Sequence, residues 1–177
     1  MSLALKYLPN YTVKDYEGWQ GDWELIEGVP FALASSTFEH QRVVLRIARF
    51  LDEELEKNCP ECKVSIDTDY VIDEHTVVRP DVFVVCGEVK DKLLKTPAVI
   101  FEVISESTAE KDEKLKFELY EREGVEFYVM VFPSLKKAKA YRLTNDRYLK
   151  LKDVTTDTLE ISLKDCKISL DFGKVWE

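Results

Sequence analysis

Ala98-Val99-Ile100-Phe101-Glu102-Val103-Ile104 is the most apolar stretch of the chain, and it carries one charged residue. An unbroken run of β-branched and aromatic side chains reads as a strand covered on both faces. A carboxylate inside such a strand cannot lie there unpaired, because an isolated buried charge costs several kcal/mol. Glu102 therefore requires a cation, a metal ion or a hydrogen-bond donor.

Upstream, Val82-Phe83-Val84-Val85 is a second apolar strand, opened by Arg79-Pro80-Asp81. Proline fixes its own φ and donates no ladder hydrogen bond, so the strand begins or bends at Asp81. Downstream, Ser105–Thr108 offers caps for a helix from about Ala109 to Glu123, with Gly124 just past its end. On that helix Asp112, Lys116 and Tyr120 are spaced i, i+4, i+8 and share a face beside Leu115 and Leu119, which should point at the sheet.

The remaining segments fit around this centre. Residues 1–20 read as an arm with a short helix near Val13–Trp19, followed by a hairpin of Trp23–Ile26 and Val29–Ala34 turning at Glu27-Gly28. A helix over about Phe38–Lys57 has Val43, Val44, Ile47, Phe50, Leu51 and Leu55 on one face. Lys63–Ile72 reads as one strand, Glu126–Phe132 as another closed by Pro133, and Lys139–Leu143 with Tyr148–Leu151 as a hairpin. Short strands follow near Leu159–Ile161 and Ile168–Leu170. The expected architecture is α/β, a mixed sheet flanked by helices, in one domain over residues 1–177.

The chain has 177 residues, 45% of them hydrophobic and 33% charged, the mix of an ordinary globular domain. No apolar run approaches the ~18 residues that cross a bilayer, and no basic-then-apolar leader opens the chain, so a cytoplasmic location without membrane contact is expected. A net charge of −9 argues against a protein that coats nucleic acid, though not against an enzyme meeting it at one local face. The four cysteines stand at 59, 62, 86 and 166. Cys59-Pro60-Glu61-Cys62 has CxxC spacing, but no second pair completes a zinc set, and reduced thiols in a helix-to-strand turn are the expectation.

Two carboxylates at the ends of neighbouring central strands, Asp81 and Glu102, suit Mg²⁺ or Mn²⁺, which prefer oxygen ligands. Lys116 can reach toward them from the following helix and stabilise charge developing on a phosphate. Each residue also has a plainer reading. Asp81 suits a turn, Glu102 can pair with Arg79 or Arg42, and Lys116 can pair with Asp112 on a solvated face.

The ordered set Arg79-Pro80-Asp81, Glu102, Ser107-Thr108, Asp112, Lys116, Tyr120 and Gly124-Val125 resembles the bacterial "putative restriction endonuclease" family of the PD-(D/E)XK nuclease superfamily. Trp23-Glu24-Leu25-Ile26-Glu27-Gly28 and His40-Gln41-Arg42 resemble its N-terminal signature, so the likeness spans about residues 10–172. It implies a restriction-endonuclease-like core with Asp81 and Glu102 as metal-binding acids. The superfamily's lysine two residues after the second acid is absent, since that position is Ile104; Lys116 matches a lysine displaced onto the next helix. Glu24 and His40 are then further site residues, a carboxylate and an imidazole suited to a phosphate or water.

These readings give two expectations. One is a metal-dependent endonuclease hydrolysing DNA phosphodiester bonds, working as a homodimer whose two-fold axis presents two sites to a duplex. The other is a catalytically silent nuclease-fold binding or assembly module, favoured by the acidic balance. Arg42, Arg46 and Arg49, with Lys136, Lys137 and Lys139, are the candidate phosphate contacts. Asp67, Asp69 and Asp73 read as a polar strand face and turn, and His75 as solvent-facing.

Overall fold

The apolar runs that follow Asp81 and contain Glu102 become neighbouring strands in the middle of one sheet. The computed structural model describes residues 6–105 and 109–177, so the caps expected at Ser107 and Thr108 and the first five residues of the arm lie outside the described residues. The elements in order are α1 (Val13–Tyr16), β1 (Trp23–Ile26), β2 (Val29–Ala32), α2 (Phe38–Asn58), β3 (Cys62–Ile66), β4 (Tyr70–Asp73), β5 (Thr76–Val78), β6 (Val82–Cys86) and β7 (Val99–Val103). A π-helical turn (Lys111–Leu115) runs into α3 (Lys116–Arg122), followed by β8 (Phe127–Phe132), β9 (Lys137–Thr144), β10 (Arg147–Val154), β11 (Thr158–Ser162), β12 (Lys167–Asp171) and α4 (Phe172–Val175).

The main sheet has the order β10-β9-β8-β7-β6-β3. Its pairs are antiparallel except β7 with β8, which run parallel. A parallel pair cannot be joined by a tight turn, and the segment carrying α3 supplies the crossover. A second sheet, β2-β1-β5-β4, and the β11–β12 hairpin complete the fold.

Strand periodicity sorts the core into two faces. Val82, Val84, Val99, Phe101 and Val103 pack with Val43, Val44, Ile47, Leu51 and Leu55 of α2 and with the β11–β12 hairpin. Phe83, Val85, Ile100 and Ile104 pack on the opposite face with Leu119 and Tyr120 of α3 and with Ile26, Tyr70 and Val78 of the second sheet. Successive strand residues point to opposite faces, so Glu102 shares the side of Ile100 and Ile104 and meets α3. The apolar seam of α2 follows the expected spacing, and its N-terminus is capped by Thr37, whose hydroxyl accepts from His40 N at 3.1 Å.

The turns follow their residue types. Glu27 and Gly28 are both left-handed, at φ 50° and 79°, and a Cβ on Gly28 would stand 2.2 Å from Asn10 Oδ1, so glycine is required there. Asn145 and Asp146, also left-handed, turn the β9–β10 hairpin where the sequence places it.

Four local expectations are corrected. Lys63–Ile72 is two strands in different sheets, broken where Asp67 turns left-handed (φ 45°) and Thr68 Oγ1 donates back to Ile66 O at 2.9 Å. The helix before Gly124 begins with a π turn rather than α-helical turns throughout. His75 is half-buried, with Nδ1 2.8 Å from Tyr11 O, tying the arm to the β4–β5 turn. The cysteines are not reduced thiols: Cys59 is bonded to Cys166 and Cys62 to Cys86. Cys62 and Cys86 are register partners across β3 and β6, a contact that sequence spacing does not reveal.

Candidate active site

Each charged residue of the site arrives from a different element. Glu102 comes from β7, Asp81 from the residue before β6, Glu24 from β1, His40 from the first turn of α2, and Lys116 with Asp112 from the helical crossover. The β6–β7 register pairs Val82 with Phe101, and one further step sets Asp81 opposite Glu102. They enclose one side of a cleft of about 450 Å³, lined also by Asp67, Arg79 and Lys111.

The inner part is a buried charge cluster. Lys116 Nζ lies 2.7 Å from Glu24 Oε1, 2.9 Å from Glu102 Oε1 and 3.5 Å from Asp112 Oδ1. Tyr120 OH donates to Glu102 Oε1 at 2.8 Å, and Arg79 N donates to Glu24 Oε1 at 2.8 Å. Glu102 thus pairs with a lysine and a tyrosine, not with Arg79 or Arg42. The Arg79 guanidinium is held by Asp22 at 2.7 Å and Asp69 at 3.0 Å. Asp69 and Asp67, read from sequence as a polar strand face, are thus Arg79 partners, Asp67 at 3.9 Å.

Lys111, which the sequence reading passed over, completes the cluster with Nζ 2.7 Å from Glu24 Oε2. At 3.6 residues per turn, residues five apart stand roughly 140° apart around an α-helix. The π turn changes this: Lys116 N donates to Lys111 O, an i to i−5 bond that stacks the two lysines over the same carboxylate. Only the local winding reveals Lys111, and no signal in the spacing points to it.

The outer part is more open. Asp81 Oδ2 accepts from Val103 N at 2.7 Å and lies 3.4 Å from His40 Nε2, with the His40 and Asp81 side chains 15% and 24% exposed against 3% for Lys116 and Glu102. His40 Nδ1 is buried and makes no hydrogen bond among the described residues.

The electrostatics follow from this layering. Burial opposes ionisation of Glu24, but Lys116 and Lys111 outweigh it and hold its carboxyl below the usual range. Burial pushes the Glu102 carboxyl well up, Lys116 offsets only part of that, and Asp81, Asp112 and Glu24 add to the rise. Burial opposes charge on Lys116, yet Glu102 and Glu24 hold it well above the ordinary lysine value, so it stays an ammonium. His40 is drawn down by burial and raised on balance by its hydrogen bond and charge contact with Asp81. Four acids, Glu24, Asp81, Glu102 and Asp112, thus face two lysines, Lys111 and Lys116.

That excess of acidic groups over lysines suits a divalent cation. Among the described residues, protein donors engage Asp81 Oδ2 and Glu102 Oε1 but not Asp81 Oδ1 or Glu102 Oε2. One oxygen of each acid is thus left for a hard cation, which takes few carboxylates and keeps waters. Among the described residues no three His, Cys, Asp or Glu side chains are grouped as a ready ligand set.

The basic residues lie elsewhere. Arg42 and Arg46 line a shallow groove with Lys136 on the outer side of α2. Arg46 Nη1 donates to Lys174 O at 2.7 Å, Arg49 pairs with Glu53 at 2.9 Å, Lys137 pairs with Asp153 at 3.5 Å, and Lys139 lies over Phe132. No helix among the described residues is long and apolar enough to cross a membrane.

Residues 13–171 match the model of a family described as "Uma2: Putative restriction endonuclease". Over 151 residues the chain is 25% identical to the uncharacterized protein sll1609 of Synechocystis sp. (strain ATCC 27184 / PCC 6803 / Kazusa), covering 82% of this chain and 85% of that one. A crystal structure described as a putative nuclease belonging to DUF820, from Anabaena variabilis ATCC 29413, superposes with a TM-score of 0.74 over 93% of this chain and 97% of its own. At 12% identity that likeness establishes the fold.

Proposed function

From the premise that the chain belongs to the family described as "Uma2: Putative restriction endonuclease", we propose that it is a divalent-metal-dependent endonuclease acting on DNA, with Asp81 and Glu102 as the metal-binding acids. The observation that carries this reading is the pair of cross-strand carboxylates at the cleft, each with one oxygen held by protein donors and the other not engaged among the described residues.

Bound there, Mg²⁺ or Mn²⁺ would supply Lewis acidity at a phosphate oxygen and lower the pKa of the attacking water. The protein's own groups have distinct tasks. Glu102 and Glu24 favour the ammonium form of Lys116, which suits charge stabilisation rather than proton abstraction. It fixes Glu102 Oε1 and contributes positive charge behind the reacting phosphate. Lys111 and Lys116 together hold Glu24, which supports the cluster from β1. His40, whose partly exposed ring faces Asp81 at the cleft wall, offers an imidazole to a phosphate oxygen or a water. A pair of copies related by a two-fold axis would present two clefts to a duplex.

A second reading is favoured by one observation: Lys116 is only 3% exposed and engaged by Glu24, Glu102 and Asp112, as a purely structural ion cluster would be. The protein would then be a binding or assembly module. Titrating Mn²⁺ into wild type and Asp81→Ala by calorimetry separates the two. Saturable heat lost in the variant, with cleavage of plasmid DNA in the same buffer, supports the enzyme. A folded wild type that takes up no Mn²⁺ refutes it and leaves the module.

A further inference from the structure

The CxxC segment needs two more ligands to be a metal site, and the fold brings two. Cys59 ends α2, and Cys62 opens β3 three residues later, with Cys62 N donating to Cys59 O at 2.9 Å across the Pro60-Glu61 turn. Such a turn keeps its first and last Cα within about 7 Å. Cys86, at the end of β6, stands opposite Cys62 with Cα atoms 3.8 Å apart. Cys166, from the β11–β12 loop 107 residues away, stands opposite Cys59 with Cα atoms 5.6 Å apart. All four pack at the edge of the same apolar cluster, Cys59 and Cys62 buried within it.

We propose that these four cysteines form, in the reduced protein, a structural tetrathiolate site for a thiophilic divalent cation such as Zn²⁺, for which the two disulfides are the oxidised alternative. Closed tetrahedral Cys₄ sites joining a C-x-x-C turn to ligands from other elements are a common structural use of zinc. Zn–S bonds of ~2.3 Å place ligand sulfurs roughly 3.8 Å apart. In the disulfide state the side chains are not grouped as a ligand set among the described residues; reduction frees all four to rotate. Three further features fit. Gly87 (φ 85°) follows Cys86 and lets the chain turn away, while Gly87 N closes the edge by donating to Glu61 O at 2.8 Å. Lys95 donates to the Cys86 carbonyl, setting a cation beside a group that would carry net negative charge.

The interconversion balances. Reduction of the two disulfides takes four electrons and four protons from two equivalents of a dithiol reductant, each oxidised to a disulfide, and leaves four thiols. Cation binding as a tetrathiolate then releases four protons. Either state ties the end of α2 to β3, β6 and the β11–β12 hairpin. In the disulfide state no thiolate is offered. The site is separate from the carboxylate cleft and does not depend on the nuclease reading.

The test uses the full chain and Co²⁺ as the spectroscopic probe. Protein reduced with a dithiol and then freed of it by desalting should bind one Co²⁺ per chain, with an intense thiolate-to-cobalt charge-transfer band and tetrahedral ligand-field bands. Zn²⁺ should displace the cobalt. Both features should be missing from the oxidised protein and lost in Cys86→Ser and Cys166→Ser. Because a serine variant can misfold, X-ray absorption on wild type counts the ligands directly, four sulfurs being expected. Four titratable thiols without these bands, bands surviving in Cys166→Ser, or fewer than four sulfur ligands would each overturn the proposal.

Discussion

The two faces of the central sheet are built on opposite principles. The face under α2 and the β11–β12 hairpin is apolar throughout, from Val99, Phe101 and Val103 to Leu51 and Leu170. Among the described residues, the buried charged groups Glu24, Glu102, Asp112 and Lys116 gather on the face of α3 and the second sheet. β7 serves both: its odd positions build a core and its even positions carry Glu102 into the ion cluster. A packed apolar face draws its stability from area removed from water and does not depend on pH or ions. The charged face is costly to bury, and its charges are tolerable only while every partner is present.

The largest test of that contrast is Asp81→Ala. With Asp81 in the proposed metal-binding role, its loss should lower cleavage by about 10³-fold or more, several kcal/mol of transition-state stabilisation. It should also abolish the Mn²⁺ heat, while urea unfolding in chelator changes little. Unchanged cleavage would remove Asp81 from the site. Next is Lys116→Met, which removes the cation shared by Glu24, Glu102 and Asp112. Unfolding in chelator should show a loss of about 3–5 kcal/mol, partly recovered with saturating Mn²⁺ and accompanied by lost cleavage. A variant as stable as wild type would mean the cluster is not ionised as drawn.

Phe101→Ala probes the other face. A cavity in a packed core should cost about 3–4 kcal/mol. The loss should be the same with and without Mn²⁺, and cleavage per folded molecule should stay intact. An ion-dependent loss would break the division between faces. Tyr120→Phe removes one donor to Glu102 Oε1 and should cost about 1–2 kcal/mol, with wild-type packing by near-ultraviolet circular dichroism.

The smallest effect is a pH dependence in chelator. Burial draws the His40 imidazole down, but Asp81 outweighs it and leaves the folded-state pKa above the ordinary histidine value. Its contribution is therefore fully present below the unfolded value and is lost as pH rises through the folded one. His40→Gln should flatten the stability profile in that window, and an identical slope in the variant would dissociate His40 from it.

Glu102 was legible because it violates its surroundings: a lone carboxylate in Ala98–Ile104 must have a partner. Asp81 and Lys116 were legible through order and spacing, and Glu24 and His40 through family likeness, which places residues without explaining their contacts. Lys111 was not legible, because helical spacing assumes α winding and the chain winds one turn as π. The cysteine pairing was hidden for another reason: Cys59 and Cys166 are 107 residues apart, and nothing local in either segment encodes the other.

By itself the sequence determined the order and type of most elements, the doubly buried strands at the centre, and the need for charge compensation at Glu102. These follow from periodicity and from the cost of burying charge, both local properties. Tertiary structure alone decided which cation meets Glu102, how Lys111 joins Lys116 at Glu24, and where four scattered cysteines converge. Such contacts depend on sheet register and on the local winding of one helix, where a shift of a single residue changes which side chains face one another.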